Sequence, residues 1–453
     1  MVEKAAFVIV KMNRTMLKAS LYFLLFFCSL ACAATSPQPP TFAKFMTRFA
    51  AGYEALDIPG FTLDSKEYFQ SIPDLQQLQK QADFFKQQQQ ELATFDPKSL
   101  QKPENLYYTH LKYEIDLNLR RIDLEKDWVK RGRNVPNNGL HEMPNYKDWY
   151  PFFVQRFTST TITPEEVFEL GKQEVKRVQT EIQKIQKQLG FNDSIQFYQH
   201  LQNDSFFLTD KKEILTEYER IDKTVRQHLS QLVDLQDIPA IEPMEWPNAG
   251  PNTPPGRYMS ASENAYSKDV FQYNFYNNQH NKRAMEWLYM HEAIPGHHLQ
   301  SVTRRNTKEA PAFQQLFFYA GNAEGWGCYV EYFGDQLGMY KNPYSALGKW
   351  EWDLVRSARL VIETGIHYYG WSREQALQYW KENISGQDDI ADREVTRVTN
   401  WPGQALCYKV GADKIEKLAK NAKDRRTFHR QFLELSYFPL AVVEDYFATQ
   451  KSK

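Results

Sequence analysis

The sequence predicts a mainly α-helical chain broken once by a short β-containing stretch. Three observations predict it. Apolar residues recur at helical spacing through most long segments. Capping and helix-breaking residues bracket those segments. Only residues 236 to 280 lose the helical period and fill with proline, glycine and asparagine. A chain of 453 residues can bury one large core or two lobes. The change of character places an N-terminal helical lobe at about 41–235 and a second lobe at about 236–448, within one domain of 35–453.

The chain begins with a targeting pattern. Lys11, Arg14 and Lys18 precede the apolar run Leu21 to Leu30, which ends in Ala31-Cys32-Ala33-Ala34. This is the layout of a secretory signal peptide, placed at 1–34, and it is too short for a comfortable membrane span. The expectation is an exported protein, periplasmic or secreted, with no stable span once the leader is removed. Cys32 is the residue a lipid anchor would use, although Ser29 stands where a leucine is expected. Cys328 and Cys407 then remain, too few for a disulfide framework.

The helices follow in order. Phe42, Phe45, Phe49 and Tyr53 form one stripe over 41–57. Residues 74–94 are glutamine-rich, but Phe84, Phe85 and Leu92 give that segment a face to bury. A long helix spans 103–132, and Pro136-Asn-Asn-Gly139 ends the pattern. Trp149 to Phe157 is an aromatic helix. Thr163-Pro-Glu-Glu166 is a helix start, with threonine as cap, proline in the first turn and Glu166 closing a capping box; that helix runs to Gly190. Another covers 209–235. Within 236–280, the apolar runs Tyr258-Met259 and Phe271 to Tyr276 read as two or three short strands. Helices at 345–369, 372–384, 401–420, 424–436 and 438–448 complete the chain, and no repeat of solenoid length recurs.

The chemistry concentrates in Met290-His-Glu-Ala-Ile-Pro-Gly-His-His-Leu-Gln300. Three of the ten histidines and one glutamate fall within eight positions there. Histidine beside glutamate, with histidine downstream, is the pattern of a zinc hydrolase: imidazole nitrogens bind the ion and the carboxylate takes a proton from water. The spacing is unusual. On an unbroken helix, His297 lies about 240° round from His291, and His298 about 10.5 Å along the axis. Pro295 and Gly296 supply a break, and a bulged helix would return one of the two histidines to His291. The alternative is a helix that ends at Pro-Gly with histidines satisfied locally. Glu324, opening an aromatic helix, is the candidate third ligand. Glu331 is at i+7, too far along for the same ion, and suits a carboxylate behind a ligand or in a salt bridge. Two histidines and a glutamate leave a position open for water, as catalytic zinc sites do.

These residues carry a resemblance. His291-Glu-Ala-Ile-Pro-Gly-His-His298, Glu324-Gly-Trp326, Arg359-Leu-Val-Ile-Glu-Thr-Gly-Ile-His367 with Gly370-Trp-Ser372, and Trp401-Pro-Gly-Gln-Ala-Leu-Cys-Tyr-Lys-Val-Gly411 resemble, in the same order, the bacterial DUF885 family. That family is similar to zinc metallopeptidases. The resemblance implies a large helical zincin-like fold with a small β element beside the metal helix, whose edge strand holds substrate backbone. The Gly-His pair also resembles the expanded zinc motif of dipeptidyl-peptidase-III-like enzymes, and the Glu324 block the downstream helix of gluzincin aminopeptidases. Aligned on Gly-His, the second ligand is His297, and His298 faces substrate or a supporting partner. Val398 departs from the pattern, which carries an aromatic residue there, and the chain is shorter than many relatives.

The implied reading is a Zn2+-dependent peptidase on peptides or peptide-like small molecules. His291, His297 and Glu324 hold the ion, and Glu292 is the general base. Tyr408 is a candidate hydrogen-bond donor to the developing oxyanion, the alternative being a core tyrosine. Arg397, Arg393 and Lys409 are candidates for pairing with a substrate carboxylate, the alternative being surface salt bridges. His367 is a candidate for binding substrate or steadying a ligand carboxylate, the alternative being a buried structural histidine. Two other readings stay open: a zinc hydrolase of non-peptide amides or esters, and a non-catalytic metal-dependent binding protein. Lys+Arg total 55 against Asp+Glu 56, a balance that gives no support to a nucleic-acid partner.

Overall fold

The computed structural model describes residues 41–451, apart from 59–61, 236, 263 and 308–309. The leader, Cys32 and the other expectations for residues 1–34 lie outside the described residues.

The helices form where capping chemistry and apolar periodicity agree. Thr163 accepts from the Glu166 amide, and the Glu166 carboxylate accepts from the Thr163 N–H, so the predicted capping box opens the helix Pro164–Gln188. Such a pair satisfies two amides that a helix start leaves without intrahelical partners. The segments expected at 41–57, 74–94, 103–132 and 209–235 are the helices Phe42–Glu54, Leu75–Leu92, Glu104–Lys130 and Lys211–His228. Short helices at Ser65–Ser71, Ser194–His200 and Ala391–Asn400 complete the set. They were not expected, because pieces of two or three turns show too little period to stand out.

Residues 236 to 280 do hold strands. Glu242–Glu245 pairs in parallel with Val270–Tyr273, which pairs antiparallel with Gly256–Met259. Gly256–Met259 is therefore an edge strand of a three-stranded sheet. A second, two-stranded pair joins Phe207–Leu208 to His280–Asn281.

Three apolar clusters hold these elements. One lies between the helix Lys211–His228, the sheet and the helix Lys282–Glu292. One gathers the N-terminal helices with Phe313, Leu360 and Leu406. The third joins Pro164–Gln188 to Pro343–His367. Helix Pro343–His367 is buried along most of its length and touches elements from both halves of the chain. Fully buried rings such as Trp149, Trp287 and Trp326 fix the spacing; cutting one back to alanine costs about 3–5 kcal/mol. The single chain thus supplies a rigid helical scaffold, with the edge strand set against the start of the histidine-rich segment.

Candidate metal centre

The His-Glu segment is two helices, where the sequence suggested one bulged helix. Lys282–Glu292 stops at Ala293 (φ −103°, ψ −103°), and His297–Asn306 begins after Gly296 (φ −80°, ψ −131°). Pro295 has no N–H to continue the ladder. A Cβ at Gly296 would stand 1.8 Å from the His291 carbonyl oxygen, so the tight return is open to glycine alone. Trp326 Nε1 donates to the Pro295 carbonyl at 2.8 Å and pins the loop to the next helix.

The break brings His297 to His291. Their rings are 4.7 Å apart and nearly perpendicular. His291 Nε2 and His297 Nε2 each stand 3.5 Å from the same carboxylate oxygen, Glu324 Oε2. This distance discriminates. It is long for a charge-assisted hydrogen bond, but two ligands about 2.1 Å from one tetrahedral zinc stand roughly 3.4 Å apart. The donor set therefore fits a zinc ion. His297 and Glu324 keep 15% and 23% of their side-chain surface exposed, against 4% for His291, so the cluster is reached from outside.

The opposite edge of His291 is closed. Its Nδ1 stands 2.8 Å from Glu331 Oε1, a hydrogen-bond distance, too short for two ligands of one ion. With Nδ1–H donating there, Nε2 is the nitrogen left on the Glu324 side to bind an ion in the neutral ring. Arg356 Nη1 holds both Glu331 oxygens at 2.8 Å. His291, Cys328 and Glu331 could in principle form a second ligand group. All three are buried, and Glu331 is already taken up by Arg356, so that side lacks the open position a hydrolytic ion needs. Cys328 and Cys407 are both buried free thiols.

Charge and burial agree. Burial alone would raise the Glu324 carboxyl, but the two imidazoles hold it well below the usual carboxylate range. Burial alone would lower His291, yet Cys328, Glu324 and Glu331 hold its pKa well above the ordinary value. With no cation present, the anions around it recruit a proton; an ion at Nε2 would take that role.

Glu292 lies just past His291 in the chain, at the end of the helix. Its Oε2 accepts the Tyr258 backbone N–H at 2.8 Å from the edge strand. The Tyr258 hydroxyl donates to Asp269, which Arg305 also holds. His298 turns the other way from His297. It is fully buried, with Nε2 3.0 Å from the Pro239 carbonyl and Nδ1 3.5 Å from Asp269 Oδ2. Burial lowers its pKa.

Tyr408 opens the helix Leu406–Lys420, which packs on the Glu324 helix Ala320–Val330. Burial first, then the Glu324 charge, raises its phenol to about 12, so it stays protonated and can donate. Arg397 Nη2 donates to the Tyr408 hydroxyl at 3.3 Å.

Three candidates go elsewhere. His367 is buried, and its Nδ1 accepts from the Leu140 N–H at 2.9 Å while Nε2 donates to the Val398 carbonyl at 2.8 Å. Both nitrogens tie backbone segments together, so it neither reaches the cluster nor faces substrate. Lys409 is buried between Asp353 and Glu174 at 2.6 Å each and has no charge to offer a ligand. Arg393 is committed to Glu394. Arg356, Cys328 and Asp269 were missed. For Cys328 a signal existed, since Glu324, Cys328 and Glu331 fall at i, i+4 and i+7 on one face.

With that geometry in place, the comparisons are informative. The family described as "Bacterial protein of unknown function (DUF885)" matches residues 123–446. The chain belongs to the DUF885 family. No curated protein matches this DUF885 chain. A "putative lipoprotein" from Colwellia psychrerythraea is 22% identical, with a TM-score of 0.65 over 91% of this chain and 76% of its own. A "putative lipoprotein of unknown function" from Shewanella oneidensis is 16% identical, with a TM-score of 0.69 over 91% of this chain and 100% of its own. At those identities the likeness is one of fold. Among the described residues, no helix is long and apolar enough to cross a membrane.

Proposed function

We propose that this DUF885 protein is a zinc-dependent hydrolase that cleaves peptide or peptide-like amide bonds. The observation that carries the reading is the 3.5 Å distance from each of two imidazole Nε2 atoms to one carboxylate oxygen, with a glutamate directly following the first histidine. A zinc ion held by His291, His297 and Glu324 would supply Lewis acidity and an acidified water.

The chain's own residues do the rest. Glu331, fixed by Arg356, orients the His291 ring. Glu292 is held at one oxygen by the Tyr258 N–H; it accepts the proton of the attacking water and passes it to the leaving nitrogen as the C–N bond breaks. The products are a carboxylate and an amine, and the water is consumed. Tyr408 donates a hydrogen bond to the carbonyl oxygen as charge grows on it. In this reading the edge strand Gly256–Met259 would align an extended substrate backbone. An exported location goes with this reading: the leader pattern at 1–34 supports it, and both structural neighbours carry the description "putative lipoprotein".

Metal analysis of the purified protein, combined with a mixed-peptide digest read by mass spectrometry, tests the proposal. About one zinc per chain and discrete cleavage products are expected. Absence of any transition metal, with none taken up on addition, overturns it.

A further inference from the structure

Three guanidinium groups gather around one carboxylate, Glu394. Glu394 Oε2 accepts from Arg359 Nε at 2.8 Å, with Arg359 Nη2 at 2.7 Å. Glu394 Oε1 accepts from Arg393 Nε at 3.3 Å and Nη2 at 3.0 Å. Both Glu394 oxygens are therefore occupied. Arg397 is the third cation, and among the described residues no carboxylate lies within ion-pair distance of it. Its Nη2 donates to neutral groups, Gln404 Oε1 at 2.8 Å and the Tyr408 hydroxyl at 3.3 Å. Its Nε is buried with no partner. The aromatic rings of Trp401 and Tyr408 lie near it, with centroids 5.4 and 5.7 Å from the guanidinium carbon.

Glu394 acts on all three guanidinium groups, so one negative charge faces three positive ones, and Arg397 is the one of them without a direct ion pair. Guanidinium is the side chain that meets a carboxylate at two points. The nearby acid Glu363 does not neutralise Arg397, because burial pushes its carboxyl up to about 8, leaving it uncharged at pH 7. Arg397 packs against Tyr408, whose phenol feels the Glu324 charge, so this cation lies on the side of the candidate centre.

We propose that Arg397 is the anchor for a substrate carboxylate, so that the substrates are peptides or acylated amino acids cut close to a free C-terminus. This rests on the hydrolase reading above and specifies its substrate class. Tyr408 then touches both the anchor and the carbonyl to be cleaved, and the distance between the two selects the bond. Arg257, which feels the Glu292 charge, is another guanidinium with no ion pair to a carboxylate among the described residues. It stacks on Trp246 at 4.0 Å and donates to Gln272, and it serves as the control.

The test uses an N-acylated peptide with a free terminal carboxylate and the same peptide as its terminal amide. Binding of both is measured by calorimetry to the metal-loaded full chain in the Glu292→Gln background, and to chelator-stripped chain. Turnover of both is measured with the intact enzyme. The acid should bind roughly 10- to 100-fold tighter than the amide, with or without metal. Arg397→Gln should abolish the preference and leave amide binding unchanged. Arg397→Lys, which keeps the charge but loses the fork, should restore part of it, and Arg257→Gln should leave it intact. Circular dichroism checks that each variant folds. Equal binding of acid and amide, a preference that vanishes with the metal, or one that moves with Arg257 overturns the anchor. Cleavage of acid and amide alike overturns the anchor while the hydrolase reading stands. A carboxylate preference in a chain that takes up no metal does the reverse.

Discussion

Gly327 lies against the His291 imidazole: a Cβ there would stand 2.7 Å from Cε1 and 2.9 Å from either ring nitrogen. The ring is wedged between the Glu324 helix and the carboxylates on its two sides, and only a residue without a side chain leaves it room. Gly327→Ala should therefore displace the ring without disturbing the helix, where alanine is otherwise favoured. Zinc affinity should fall roughly 10- to 100-fold, the usual scale when a ligand's orientation is lost. Helicity by circular dichroism should be unchanged. Full zinc occupancy at low free metal in this variant would show that His291 is not a ligand.

Much of this arrangement was legible in the sequence, for physical reasons. Helices with a cap and an apolar stripe, such as Pro164–Gln188, are specified locally and were found. His291, His297 and Glu324 stood out because few residue types can ligate a metal, and a Pro-Gly break announces that a straight helix is not what joins them; the fold brings the three side chains together. What local reasoning could not reach was long-range pairing. Glu331 meets Arg356 from a separate helix, and nothing in their spacing announces it. His367 sits in a motif shared with the metal-site blocks yet bonds only backbone. A recurring residue has the same sequence signature whether it holds a ligand or a loop. Lys409 was misjudged because burial between Asp353 and Glu174 depends on how three helices meet.

The general base can be separated from the ligands. Glu292→Gln preserves shape, and its amide oxygen can still accept the Tyr258 N–H. Zinc content should stay at wild-type level, because Glu292 is no ligand. Turnover should drop by about 10²–10⁴, the usual contribution of a positioned acid–base group. A variant within a few fold of wild type would exclude Glu292 from proton transfer.

Stability should depend on pH through Glu363. This carboxyl is fully buried; Oε1 accepts from the Gly403 N–H at 2.6 Å, and Oε2 has no partner. Burial raises its pKa from 4.5 to about 8. Between those values the folded chain holds a proton that the unfolded chain has lost, so stability falls as pH rises, by about 1.4 kcal/mol per unit for a full proton. His367 acts with the opposite sign: burial lowers it from 6.5 to about 4, so its contribution is lost as pH falls through that window. Above pH 6.5 the unfolded His367 gives up the rest of its proton and the folded one is already neutral, while Glu363 still titrates. Lys349, which burial lowers to about 7, acts with the opposite sign above pH 7 in both proteins, so the test is the difference: Glu363→Gln should make the change of melting temperature from pH 6.5 to 8 less negative than in the native chain. An unchanged slope would show that the buried carboxyl is already ionised in the folded state.

The sharpest test lies between two adjacent histidines. His297 Nε2 faces Glu324, whereas the His298 ring is packed against Pro239 and Asp269. A residue-by-residue exchange of roles is excluded by the backbone, since the first turn of a helix points successive side chains about 100° apart. His297→Ala should abolish tight zinc binding, because two protein ligands do not hold the ion of a three-ligand site. His298→Ala should keep zinc, with affinity lowered at most roughly 10- to 100-fold through loosening of the loop. It should also lower thermal stability, because a fully buried imidazole is replaced by a cavity and the Pro239 carbonyl loses its donor. Zinc stoichiometry by elemental analysis, read beside the melting temperature, separates the two variants. Zinc lost in His298→Ala and retained in His297→Ala would reverse the assignment and require the loop after Pro295 to turn one residue further.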